Sequence, residues 1–377
     1  MKQKVTTTYE KTYGHKPMVV FSPGRLNIIG EHTDYNEGFV FPAAIDKGIY
    51  AAFGLSKTPV CTTEALDMNE SYSFSLEKLA PLDQGGWRNY ILGVIQGILD
   101  TGKKIAPFNL VFSGDIPGGA GLSSSAALEN AVVFGLNELF DLGLSKEEMI
   151  LISQKAEHSF VGVKCGIMDQ FASMFGQKDT ALLLDCRSIK ARAFPIDLKD
   201  YQLLLINTNV KHSLSDSAYN QRREVCEKAA ELLQIKSLRD ARLEDISSIS
   251  DELTEEAYQM ARYVIEENAR VEQAGIAMEA NDIEQLGNLL YESHHGLQHQ
   301  YKVSCKELDF LVDMAKTNPD IAGSRMMGGG FGGCTISIIK KDAMQNHVKK
   351  VLAAYKKRFH IDCSVHEVSL SQGTHLI

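Results

Sequence analysis

Ile116-Pro-Gly-Gly-Ala-Gly-Leu-Ser-Ser-Ser125 joins two stretches of unlike pattern. Before it, Phe108–Ser113 (Phe-Asn-Leu-Val-Phe-Ser) reads as a strand. After it, Ser124–Asp141 places Ala127, Leu128, Val132, Phe134, Leu136 and Leu139 at helical spacing. A strand, a run of small residues and a helix in that order make an anion site. Glycines take up backbone conformations closed to other residues and let the chain approach a bulky ligand. Their N–H groups then converge into one concavity, and the helix start adds free N–H groups and the positive end of its dipole. Serine hydroxyls can donate to phosphate oxygens, and one of them can sit on a divalent cation. The simpler alternative is a tight turn with a capping serine. A cap uses one serine, whereas here three follow four small residues.

Several phosphate-binding classes do not fit. The pattern GxxxxGK[ST] is absent, since the one Gly-Lys pair, Gly102-Lys103, is followed by Lys104. The HRD and DFG motifs of protein kinases are absent as well. Gly328-Gly-Gly-Phe-Gly-Gly333 formally contains GxGxxG. A dinucleotide fingerprint must follow a strand and open a helix. This run is expected to follow a helical region and to open the β-branched strand Cys334–Ile339, so its context is wrong.

Composition sets outer limits. The 377 residues suggest two domains and allow a large core. The net charge is −9, with no long Lys/Arg run, which argues against a nucleic-acid or anionic-membrane surface. The first residues carry no apolar core of a secretory signal, and no apolar run approaches the ~20 residues of a membrane span. Seven scattered cysteines without a CxxC pair argue against a disulfide frame or a zinc site. Reduced thiols, a cytoplasmic setting and a monomer are the expectation.

The first half reads as mixed. Strands are expected at Met18–Phe21, Val40–Pro42, Ile49–Phe53, Ala181–Asp185 and Gln202–Asn207, with helices at Trp87–Asp100 and Lys146–Val161. After about Asn209 the texture becomes helical, over Ser217–Leu233, Glu255–Glu279, Asp282–His295 and Cys305–Lys316, until a second glycine-rich loop at Gly323–Gly333. The fold class is therefore α+β. His294, His295 and His299 share one helical segment, read as a polar face because no carboxylate or cysteine completes a metal set.

These segments resemble a known family. Pro117–Ala126 resembles the second motif of the small-molecule kinase superfamily that includes galactokinase, homoserine kinase, mevalonate kinase and phosphomevalonate kinase (the GHMP kinases), and Gly328–Gly333 resembles its third. Gly24-Arg-Leu-Asn-Ile-Ile-Gly-Glu-His-Thr-Asp-Tyr-Asn-Glu-Gly38 resembles the galactokinase signature nearly throughout. Glu37 is its one departure, where glycine or Asp is common. The likeness extends to Gly162–Gln170, Asp185–Ser188, Val303–Leu308 and Ser324–Thr335. Read alone, Glu31-His-Thr-Asp34 would pass for a solvated turn. Its packed acceptors and a histidine nonetheless suit a sugar, whose hydroxyls both donate and accept.

The resemblance implies ATP and Mg²⁺ as ligands and galactose as acceptor, phosphorylated at the C1 hydroxyl. It implies a two-domain GHMP-kinase-like fold with the active site in the cleft: a mixed domain over 1–196, a helix-rich one over 197–364, and 365–377 packing back on the first. Glu31, His32, Thr33, Asp34 and Tyr219 are the implied sugar residues. Gly119, Ala120, Gly121, Leu122, Ser123, Ser124 and Ser125 are the implied ATP residues. Trp87 would lie near adenine, or else be plain core. Ser125 and Glu157 are the implied metal pair; by itself Glu157 reads as a surface glutamate. Asp169 would act as base or electrostatic anchor, with Arg25 as its partner. The rival readings are a kinase for N-acetylgalactosamine or arabinose, and a non-catalytic sensor of galactose and ATP.

Overall fold

The computed structural model describes residues 1–211 and 215–377, and only the backbone at 211 and 215–217. Ser217, which heads the run around Tyr219, thus has no described side chain. In chain order the first half holds α1 (Lys2–Tyr13), β1 (Met18–Asn27), β2 (Phe39–Val40), β3 (Pro42–Leu55), β4 (Cys61–Ala65), β5 (Glu70–Phe74), α2 (Trp87–Asp100), β6 (Phe108–Gly114), α3 (Ser124–Phe140), α4 (Lys146–Ala156), α5 (Met168–Phe175), β7 (Thr180–Asp185) and β8 (Lys190–Pro195). The second half holds β9 (Tyr201–Lys211), α6 (Ser215–Leu232), α7 (Leu243–Ser248), α8 (Glu255–Ala280), α9 (Ile283–His299), α10 (Lys306–Lys316), β10 (Ile321–Met326), β11 (Gly332–Lys340), α11 (Met344–Phe359), β12 (Ser364–His366) and β13 (His375–Leu376).

Among the described residues the strands form three sheets, ordered β13-β1-β3-β6-β4-β5, β10-β11-β9-β12 and β2-β7-β8. Pairing is antiparallel apart from β4 beside β6. Strand β3 is buried along most of its length because both faces of its sheet are covered. Helix α1 sets Val5 and Tyr9 against Val19, Ala52 and Val111 on one face. On the other, α2 to α5 pack Ile91, Ile95, Val132, Leu136 and Phe171 against Val20, Phe53 and Phe112. A strand buried twice reads as a near-continuous apolar run rather than an alternation.

A separate core joins the halves. Leu26, Ile28, Ile29 and Phe41 from the first meet Leu205, Val271, Leu290 and Ile336 from the second. Helices α10 and α11 cover the four-stranded sheet through Leu311, Val351 and Tyr355. The last strand, β13, pairs with β1, Val20 opposite Leu376. The mixed first half and helix-rich second half agree with the α+β reading. Among the described residues no helix is long and apolar enough to cross a membrane.

Local differences have physical causes. The helix expected over Lys146–Val161 is α-helical only to Ala156; Glu157–Val161 is a π-turn ended by Gly162 at φ 87°. Its start is set by a capping box between Ser145 and Glu148. The glycine stretch expected over Gly323–Gly333 begins late, because Gly323–Met326 belongs to β10, so the loop follows a strand rather than a helical region. It connects the two strands of a hairpin, and still opens no helix. The small residues of Ile321-Ala-Gly-Ser324 hide that strand from a propensity reading, and packing requires them. Gly287 of α9 lies directly on the backbone of Ala322 and Gly323. Helices α1 and α11 and the hairpin β4–β5 are not evident in the sequence, since their polar or short patterns carry little apolar period.

A Cβ on Gly287 would collide with the Ala322 carbonyl oxygen, a backbone atom that cannot turn aside. Gly287→Ala is expected to destabilise the protein by about 2–3 kcal/mol, read as a lower midpoint in chemical denaturation with an unchanged slope. An unchanged midpoint would show that α9 can retreat from β10 at no cost.

Candidate active site

The two glycine loops meet. Gly119 and Gly121 adopt φ values of 68° and 69°, and Gly328 and Gly330 adopt 87° and 86°. A Cβ on Gly328 would stand 3.4 Å from the Gly121 carbonyl oxygen, so the loops touch through backbone. They line a cleft of about 520 Å³ with Tyr90, Ser123, Ser124, Ser125, Glu157, Asp169, Tyr219 and Phe331. Ser123 itself is left-handed (φ 57°) and caps α3 without a side-chain bond to that helix. Its hydroxyl is used elsewhere.

That hydroxyl donates to Asp169 Oδ2. Arg25 Nε donates to Asp169 Oδ1 at 2.9 Å, and Arg25 Nη1 to the Gly121 carbonyl at 2.5 Å. The Arg25 backbone N–H bonds the Leu122 carbonyl at 3.1 Å. Strand β1, the first glycine loop and the start of α5 are thus fastened around one carboxylate. Arg25 is 4% exposed. Burial opposes its charge, but Asp169 and Glu31 outweigh burial and hold its pKa above the ordinary value.

A smaller cavity of about 130 Å³ opens on the same Asp169, lined also by Arg25, Glu31, His32, Asp34, Cys165, Met168, Tyr219 and Gly328. Its walls are built by the turn after β1. Glu31 Oε1 accepts from Gly328 N–H at 2.9 Å and Arg325 Nη2 at 3.1 Å. His32 sits at φ 65°, an unusual conformation for a side-chain-bearing residue, and its Nδ1 is 2.8 Å from the Tyr35 hydroxyl. Tyr35 in turn bonds Tyr301 at 2.7 Å. Burial, helped by Arg222, pushes the His32 pKa down to about 3, so the imidazole is neutral. Among the described residues its Nε2 has no well-formed hydrogen bond; the Gly329 backbone lies beside it. Burial, with the charge of Asp169 close by, pushes Asp34 up to about 7.

A third group stands behind the first. Glu157, 7% exposed, is hydrogen-bonded by Ser125 and by Gln170 Nε2 at 3.0 Å. The same Gln170 nitrogen reaches Glu129 Oε2 at 3.1 Å. Burial raises the pKa of both glutamates, helped at Glu129 by the charge of Glu157 and at Glu157 by that of Asp169. Glu157 is therefore no surface residue; the π-turn that it opens lies against α2, and Gln170 of α5 reaches its carboxylate.

Not every expected residue reaches a cavity. Thr33 is fully buried, its hydroxyl donating to the Gly30 and Phe39 carbonyls, so it holds the turn rather than lining it. Trp87 is 7% exposed, stacks edge-on to Phe112 and donates Nε1–H to Glu70 at 2.7 Å. That is a core position; Tyr90, one turn along α2, lines the cleft in its place. Glu37 also lies outside, paired with Arg187 at 2.8 Å and Lys236 at 2.6 Å. Its φ of 56° explains why glycine suits that position. The three-histidine face needs correcting. His294 is buried, 3.4 Å from Asp309 Oδ1, and accepts the Met326 N–H at 3.2 Å, while the His295 and His299 rings pair with each other.

Sequence reasoning passes over Arg325, Gln170, Glu129, Tyr35 and Tyr301. Two carry a usable signal. Glu129 stands four residues after Ser125 and so shares its helix face, and Arg325 is a lone cation inside an apolar strand.

Residues 7–55 match the galactokinase galactose-binding signature, 89–177 the GHMP kinases N terminal domain, and 276–358 the GHMP kinases C terminal. The galactokinase of Thermotoga neapolitana is 42% identical over 360 residues, 96% of this chain and 100% of that protein. That of Chloroflexus aurantiacus is 40% identical over 356 residues, 93% and 91% of the two chains. The crystal structure of Lactococcus lactis galactokinase complexed with galactose superposes with a TM-score of 0.95 at 33% identity, over 100% of this chain and 99% of that one. Methanococcus jannaschii mevalonate kinase, at 18% identity and a TM-score of 0.67, shares the fold. The glycine loops that meet over Asp169 and the acidic turn beside them are thus those of a sugar kinase, and the chain belongs to the galactokinase family.

Proposed function

We propose that the chain transfers the γ-phosphoryl group of ATP to the C1 hydroxyl of galactose, releasing ADP and galactose 1-phosphate. One observation carries the assignment of roles: Asp169, held on both oxygens by Arg25 and Ser123, borders the larger cleft and the smaller polar cavity at once. A group so placed can meet a hydroxyl from one side and a phosphoryl group from the other. The cleft suits the nucleotide, since both glycine loops and the start of α3 line it and a helix start favours phosphate. The cavity suits the sugar. Its acceptors and neutral histidine come from Glu31, His32, Asp34 and Tyr219, and galactose bound in the Lactococcus lactis relative supports that choice.

In this reading Asp169 takes the C1 hydroxyl proton or anchors the site electrostatically, and Arg25 offsets charge on the transferring group. Residues 1–196 and 197–364 act as the two domains around the cleft. The donor set also fits Mg²⁺. Among the described residues no three His, Cys, Asp or Glu side chains form a ready cage. Mg²⁺ rarely uses one, keeping waters and phosphate oxygens with one or two protein ligands. Glu129, Glu157 and Asp169 crowd three carboxyl groups behind the cleft, Glu129 Oε1 has no partner among the described residues, and the Ser125 hydroxyl is bonded to Glu157. Ser125 and Glu157 would hold the ion, which when bound neutralises charge on the β- and γ-phosphates.

Asp169→Ala and Asp169→Asn are expected to lower kcat for galactose-dependent ADP release by about 10²–10⁴-fold, with both ligands still bound in calorimetry. Normal turnover would move the catalytic centre elsewhere. Ser125→Ala and Glu157→Gln should each raise the Mg²⁺ concentration giving half-maximal rate by about tenfold or more, and an unmoved titration would exclude them as ligands.

The Asp34 pKa gives a pH test on the ligand-free protein. The folded state holds the Asp34 proton up to pH of about 7, whereas the unfolded state loses it near 3.8. Between these values the native state binds the extra proton, so this contribution to stability grows as pH falls. Relative to Asp34→Asn, the wild type is expected to gain up to about 1.4 kcal/mol per pH unit on going from pH 7 to pH 5. Parallel stability curves for the two proteins would refute it.

A further inference from the structure

We propose that Arg325, which touches neither cavity, is the positioning residue that sets the sugar selectivity of Glu31; this rests on the galactose reading above. The guanidinium is completely buried. Its Nε donates to the Ile28 carbonyl at 2.7 Å, Nη1 to the Met326 carbonyl at 2.6 Å, and Nη2 to the Asn27 carbonyl at 2.6 Å and to Glu31 Oε1 at 3.1 Å. Three carbonyls and one carboxylate leave this planar fork no alternative orientation.

The consequence falls on Glu31. Gly328 N–H also donates to Oε1, so that oxygen already has two donors. Among the described residues no donor is bonded to Oε2, and Glu31 lines the cavity. Oε2 is thereby left to a sugar hydroxyl, at a position fixed by Arg325. The outer end of the arrangement is fixed as well. His294 accepts the Met326 N–H, Asp309 stands against His294, and Ser304 Oγ donates to Asp309. The Val303 carbonyl accepts the Phe331 N–H at 2.7 Å. The run Val303–Leu308, which no ligand-facing role explains, holds the second glycine loop at both its ends.

A carboxylate free to swing could follow a displaced hydroxyl or recruit water, and would discriminate weakly. One pinned at Oε1 penalises a sugar that lacks its partner hydroxyl, because Oε2 is then left buried and unpaired. Arg325 therefore acts on one hydroxyl and not on sugar binding in general.

The test combines Arg325→Lys, Arg325→Met and Glu31→Gln with galactose and its four singly deoxygenated analogues, with ADP release as the readout. Wild-type turnover of galactose itself tests the underlying reading, independently of the variants and the analogues. One analogue should lose about 30-fold or more in kcat/KM with the wild type and be no worse than galactose with Glu31→Gln. In Arg325→Lys that one discrimination should shrink to within about threefold, through KM for the sugar, while the other three and KM for ATP stay within about threefold. Equal losses on all analogues would assign Arg325 to the fold alone and overturn the proposal. So would retention of the Glu31-dependent discrimination by either arginine variant. Should neither arginine variant fold, Glu31→Asp decides: shortened by one methylene, a pinned carboxylate loses the same discrimination, and full retention overturns the proposal.

Discussion

A guanidinium with no solvent contact sits where the two halves of the molecule meet. Removing a charge from water is costly unless the protein replaces every lost hydrogen bond, and Arg325 finds four acceptors in a plane. Three are carbonyls at the end of β1, at the turn after it and at the end of β10. Those backbone positions must stay in register for the ion to remain satisfied. The first glycine loop depends on this frame through the Arg25 N–H bond to Leu122, and the second because it starts one residue after Met326. Glu31 is the one charged partner, so fold and cavity wall are joined at a single atom pair.

Around that frame the charges are distributed unevenly. Asp169 has Arg25 and Ser123; Glu31 has Arg325; Asp34, Glu157 and Glu129 lack a cation of their own at bonding distance among the described residues. Desolvation and repulsion raise the pKa of all three. In the proposed reading a divalent cation would offset these buried carboxylates beside the first glycine loop. On the proposed reading the site would suit a nucleotide with its metal better than the bare polyanion.

The polar wall of the smaller cavity is oriented indirectly. His32 is aimed by Tyr35, and Tyr35 by Tyr301, more than two hundred residues away. Tyr263 donates to the Glu31 carbonyl from α8. Groups supported in this way lose little freedom when a ligand arrives, which favours strong discrimination between sugars that differ in one hydroxyl.

The first glycine loop, its strand and its helix are legible because their signals are local: small residues where the backbone must bend, and a helical period directly after. The run from Arg25 to Asp34 can be placed in its family from residues that are all near neighbours in the chain. Position in space obeys other rules. Glu157 reads as surface by composition and is buried, because the π-turn that continues α4 lies against α2 and its carboxylate bonds Gln170 of α5. Trp87 and Tyr90 share a helix, and only the packing of that helix decides which faces the cleft. His294 belongs to a polar-looking face but turns inward to Asp309. Arg325 looks like one cation in a small-residue strand, and three of its four partners lie almost three hundred residues earlier. The sequence by itself determined the chemistry available, namely a glycine-serine loop ahead of a helix, an acidic turn with a histidine, and an Asp and an Arg that the family resemblance pairs. Tertiary structure alone decided which atoms of those groups are free, because a hydrogen bond made to one carboxylate oxygen dictates what the other can do.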